Sequence, residues 1–176
     1  GNYKVTVFEN VSGKKYATVL SASFKVKLSS EVVPFLGSNQ YVDYEDAQST
    51  LSKAAELVKG ADDTIEKVEK VYDFVVGNLT YDKKKADNVK SGYLPVLDSV
   101  LSSKKGICFD YAALMAGMLR SQGIPCQIIT GYVSPDDIYH AWIMVYIDGV
   151  WKCGEFNVSR NTWSRVDLTF AASSGN

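Results

Sequence analysis

The stretch from 104 to 126, KKGICFDYAALMAGMLRSQGIPC, constrains this chain more than any other. Ala112, Met115, Ala116 and Leu119 recur at helical spacing, so a helix over about 108–122 must bury that face. Gly123, Ile124 and Pro125 then supply a left-handed cap and a residue that cannot continue a helix. Cys108 therefore stands at the helix N-terminus, where unbonded N–H groups and the positive end of the macrodipole favour thiolate over thiol. The same place suits a small apolar residue in a core, and the cysteine alone does not decide between the two.

The flanking segments surround this helix with more helix and with antiparallel strands. Residues 3–9 and 16–28 alternate apolar and polar side chains around the turn NVSGKK, which predicts an N-terminal β-hairpin. In YEDAQSTLSKAAELVKG, Ala47, Leu51, Ala54, Ala55 and Val58 share a helical face that ends at Gly60. A second helix runs through DDTIEKVEKVYDFVVGNLTYD, with Asp63 as N-cap and Glu66 three residues later in a capping-box pattern. DKKKAD, 82–87, is expected to be a solvated charged loop, and 88–107 an ordered, partly buried connection. CQIITGYV, HAWIMVYI and VWKCGEFNV read as strands, the last two joined by the two-residue turn Asp148-Gly149. The fold class is α+β, with an N-terminal β extension over 1–45 and one compact domain over 46–176.

Charge and composition remove several function classes. Nineteen basic and 20 acidic side chains leave a formal charge of -1 and no basic stripe, so a nucleic-acid partner is not expected. No apolar run reaches the roughly 18 residues of a membrane span. No signal peptide opens the chain, which leaves export undecided. The three cysteines, Cys108, Cys126 and Cys153, form no CxxC pair, and a zinc site from Cys108, Cys153 and His140 has no ligand spacing behind it. No metal and no organic cofactor is expected. Cys126 reads as a buried apolar residue, and Cys153 as packing or a resolving thiol.

His140 is the only histidine in the chain, and an activated thiolate needs an imidazole to share and return its proton. If Ile147 pairs with Val150 across the turn and the register continues, His140 lies opposite Asn157 and Trp142 opposite Glu155. A carboxylate at 155 is then diagonal to the imidazole and an amide at 157 is directly across from it. Either could hold the ring and fix its tautomer. The Cys108 N–H, without an intrahelical acceptor, is the natural first donor to an oxyanion. Trp142 and Tyr139 flank His140 as cleft walls, while Asp110 and Tyr111 serve helix-terminus charge and packing.

The order GICFDYA, LRSQGIP, GY, HAW and then a tryptophan four residues before an acid resembles the core of the transglutaminase-like superfamily. The resemblance runs from about residue 62 to 157. It implies a papain-like architecture, with the cysteine helix packed on an antiparallel sheet. It also implies Cys108 as nucleophile, His140 as general base and acid, and Glu155 as third member, with Asn157 the alternative. Glu155 stands where the family usually has Asp, and the D-P-T that commonly follows is absent. The implied chemistry is thiol-dependent acyl transfer on a protein or peptide amide, hydrolytic rather than cross-linking, in a secreted or cell-surface protein. The alternative is a non-catalytic binding or assembly module that keeps the fold.

Overall fold

A computed structural model describes residues 1–133 and 138–152, together with the backbone of 155–157 and 162–164. The chain forms two compact units, Gly1–Val33 and Pro34–Asn176.

The first unit is the expected hairpin, built from β1 (Asn2–Ser12) and β2 (Lys15–Lys25). Tyr3 pairs with Phe24, Val5 with Ala22 and Val7 with Leu20, so these six side chains share one face of the ribbon. The Tyr3 and Phe24 rings stack at 5.8 Å. Lys4, Thr6, Ser21 and Ser23 occupy the other face, where the Thr6 and Ser21 hydroxyls lie 3.0 Å apart.

The second unit begins with α1 (Gln48–Leu57) and α2 (Thr64–Asn78). Asp63 caps α2 as expected: its carboxylate accepts the Glu66 N–H at 2.8 Å, while Glu66 Oε2 accepts the Asp62 N–H at 2.8 Å. Next come β3 (Thr80–Tyr81), α3 (Lys83–Asn88), α4 (Leu97–Ser103) and β4 (Lys105–Gly106). One expectation is corrected here and another is refined. DKKKAD is not a solvated loop, because the Asp82 carboxylate accepts the Lys85 N–H at 2.9 Å and starts a short helix. The connection 88–107 contains α4, which Asp98 ties to α1 by accepting the Ser49 and Thr50 N–H groups at 3.1 and 2.8 Å and the Thr50 hydroxyl at 2.8 Å.

The cysteine helix, α5 (Cys108–Ser121), packs against α1, α2 and α4 as well as against the strands β5 (Cys126–Val133) and β6 (Ile138–Ile147). Every residue from Asp110 to Arg120 is buried, so the helix is enclosed rather than one-faced. Ala112, Ala113, Ala116 and Gly117 explain this, since small side chains let neighbours approach from several directions. Gly123, at φ 76°, ends the helix as its sequence predicts.

Strands β5, β6 and β7 (Val150–Lys152) form an antiparallel sheet in that order. Asp148 and Gly149 turn at φ 51° and 81°, the left-handed pair of a two-residue hairpin. The backbones of β8 (Glu155–Asn157) and β9 (Thr162–Ser164) pair with each other. Among the described residues no helix is long and apolar enough to cross a membrane.

Candidate active site

Cys108 is the first residue of α5 and is half-buried and unbridged. Ile107, the N-cap, has extended backbone at φ −95° and ψ 175°, and its carbonyl accepts the first helical bond from the Tyr111 N–H at 3.1 Å. Ile107 has no side-chain acceptor, so the N–H groups of the first turn find no cap there. Those of Cys108 and Phe109 point out of the helix start toward any group placed before it.

Asp110 sets the shape of this start. Its side chain is fully buried, and Oδ2 accepts the Ile107 N–H at 2.8 Å. Oδ2 also accepts from Lys85 Nζ at 2.6 Å, and Oδ1 accepts from the Tyr93 hydroxyl at 2.5 Å. Lys85 Nζ donates to the Tyr93 oxygen at 2.6 Å and lies 4.2 Å from the centre of its ring. Burial works against the Lys85 charge, but its bonds to Asp110 and Tyr93 outweigh that and hold the ammonium above its ordinary range. Burial, then the bond to Asp110, pushes the Tyr93 phenol up. The ring of Phe109, next to the cysteine, is held edge-on by Tyr93 at 6.4 Å and tilted against Tyr41 at 6.2 Å.

The route from α5 to His140 runs through β5. Arg120 Nε and Nη2 donate to the Cys126 carbonyl at 3.0 and 2.7 Å, and the Ile124 N–H donates to the Leu119 carbonyl at 3.0 Å, folding the chain back on the helix. Gly131, five residues along β5 from Cys126, pairs with His140 of β6. His140 is 7% exposed and stacks on Trp142, with ring centres 6.3 Å apart and planes 16° apart. The two rings share one face of β6, while Val145 and Ile147 enter the core from the other. Tyr139 pairs with Tyr132 on the face opposite His140, and both are exposed.

The register expected across the turn holds for Ile147 with Val150, Tyr146 with Trp151 and Val145 with Lys152. Glu155 and Asn157 lie beyond it on β8, where their backbones pair with Ser164 and Thr162 of β9. Their side chains, and Cys153, lie outside the described residues. Cys126 is fully buried, and burial pushes its thiol up to about 12.

Lys85 and Tyr93 are the residues at this site that the sequence did not reveal. The signal was Asp110: an acid in the first turn of a helix that is otherwise apolar needs a cation once it is buried.

A model of the transglutaminase-like superfamily core matches residues 51–168. The YebA protein of Bacillus subtilis is 28% identical over 83% of this chain and 22% of its own length. The kyphoscoliosis peptidase of Homo sapiens is 24% identical over 70% of this chain and 20% of its own. The chain thus spans about a fifth of each of these relatives. Among solved structures, a candidate cysteine protease from Cytophaga hutchinsonii superposes with a TM-score of 0.59 at 23% identity, covering 71% of this chain and 41% of that one. The periplasmic domain of TgpA from Pseudomonas aeruginosa superposes with a TM-score of 0.52 at 20% identity, covering 72% and 45%. Both likenesses establish the papain-like, transglutaminase-like fold.

Proposed function

The chain belongs to the transglutaminase-like superfamily, and on that premise we propose that it performs thiol-dependent acyl transfer on amide bonds of a protein or peptide. The Cys108 thiolate adds to the amide carbonyl, and the Cys108 N–H donates to the oxyanion that forms. His140, having taken the thiol proton, gives it to the leaving amine as the C–N bond breaks. Water, deprotonated by the same imidazole, then attacks the thioester; the carboxylic acid leaves and the thiol is restored. Glu155 orients the imidazole, or Asn157 does so with its amide.

The observation that carries this proposal is the position of Cys108 as first residue of an enclosed helix whose initial N–H groups have no side-chain cap. Hydrolysis is favoured over cross-linking, and the peptidase and protease names of two similar proteins support that choice. A secreted or cell-surface location belongs to the same proposal, supported by the periplasmic origin of one fold neighbour.

Alkylation of the thiols as a function of pH, read by peptide mass, tests the nucleophile. Cys108 is expected to be alkylated faster than Cys153 at and below pH 7. If Cys108 reacts there no faster than Cys153, the binding-module alternative takes over. Glu155→Ala and Asn157→Ala, compared on the same rate, assign the third member: the variant that slows Cys108 marks the orienting residue.

A further inference from the structure

The start of α5 contains a conflict. Asp110 gives the turn its shape by accepting the Ile107 N–H at 2.8 Å, yet it is a fully buried acid two residues from Cys108. A carboxylate there opposes a thiolate by like-charge repulsion in a medium that screens poorly. Lys85 answers it from another element, with Nζ 2.6 Å from Asp110 Oδ2.

We propose that Lys85 is a positioning residue for Cys108: it cancels the Asp110 charge, so that the carboxylate can shape the helix start without suppressing the thiolate. This rests on the reading of Cys108 as nucleophile. Two backbone features aim Lys85 at that place. The Asp82 N–H donates to the Gly106 carbonyl at 2.9 Å, joining the start of α3 to the residue two before the cysteine. The Asp82 side chain then caps α3 at Lys85. Tyr93 closes the triangle, bonded to both charged groups while its ring packs on Phe109. The other ionisable groups placed near this turn are Tyr41, whose ring lies against Phe109, Tyr81, which pairs with Gly106, and Lys105 of β4.

The pH profile of Cys108 alkylation by iodoacetamide in the full chain separates charge compensation from plain support, because the two predict different signs. Lys85→Met leaves the carboxylate unopposed and is expected to move the profile up by about one pH unit, about tenfold in rate at a fixed lower pH. Asp110→Asn keeps an oxygen for the Ile107 N–H but removes the charge, and is expected to move the profile down. Lys85→Arg is expected to restore the wild-type profile. A Lys85→Met profile that superimposes on wild type, in a protein folded by circular dichroism, overturns the proposal; so does an upward or absent shift in Asp110→Asn. If Lys85→Met does not fold, the sign of the Asp110→Asn shift decides. Failure of the nucleophile reading looks different: wild-type Cys108 would react no faster than Cys153 while the two opposed displacements persisted.

Discussion

A methyl group on residue 106 would sit 2.5 Å from the Asp110 Cβ and 3.1 Å from its Oδ2. The obstructing atoms lie on a side chain held by three hydrogen bonds, so they cannot swing aside cheaply. Gly106→Ala is expected to cost about 1–3 kcal/mol in urea denaturation and to slow Cys108 alkylation, since relief requires moving the turn that carries the thiol. An unchanged rate together with unchanged stability would show that the turn is soft. At this scale the sequence was uneven. Cys108 and His140 stood out because one begins a helix and the other has no rival in the chain. Lys85 did not, because three consecutive lysines in a polar segment look solvated until the buried partner of one of them is known.

Among the elements, α1 and α4 are joined through a single carboxylate. Burial raises the Asp98 pKa, but the three hydrogen bonds from Ser49 and Thr50 prevail and hold it below the ordinary 3.8. A depressed folded-state pKa contributes stability that is complete above the unfolded value and is lost as pH falls through the folded one. Asp98→Asn should therefore lower stability at neutral pH and flatten its decline below about pH 4, as followed by thermal melts across that range. An acid limb as steep as that of wild type would place the responsible carboxylate elsewhere. The helix α4 itself was hidden by composition: Pro95 and the serines around Leu97, Val100 and Leu101 resemble loop material, and the acid that docks it has its partners about fifty residues away. The turn at Asp148-Gly149 and the stop after Gln122 were legible because each rests on local backbone chemistry. The continuation of that hairpin to Glu155 and Asn157 rests on register alone, and the described pairs carry it only as far as Lys152.

At the scale of the whole molecule, Arg120 joins the end of α5 both to the neighbouring strand β5 and to distant Gly37, and is 5% exposed. Its Nη1 donates to the Gly37 carbonyl at 2.9 Å, while Nε and Nη2 hold Cys126. Burial lowers its pKa, yet its cation is met by carbonyl oxygens rather than by an acid. Arg120→Ala is expected to cost about 2–4 kcal/mol, because it strands the buried Cys126 carbonyl as well as removing charge-assisted bonds; a loss under 1 kcal/mol by urea titration would contradict this. The second unit, 34–176, holds the enclosed helix and the core around it, whereas the first is a two-stranded ribbon, which is marginal alone. A chain beginning at Pro34 is therefore expected to melt cooperatively and keep the Cys108 reactivity, and non-cooperative melting would show that the ribbon is needed for folding. The central claim is that Cys108 forms an acyl intermediate with His140 as its proton carrier. The mass of the Cys108 peptide after brief exposure of the intact protein to a nitrophenyl ester tests it most directly. Acylation is predicted on Cys108 ahead of Cys126, Cys153 and the lysines, and about a hundredfold slower in His140→Ala; acyl groups spread evenly over these side chains, or a rate indifferent to His140, would contradict it.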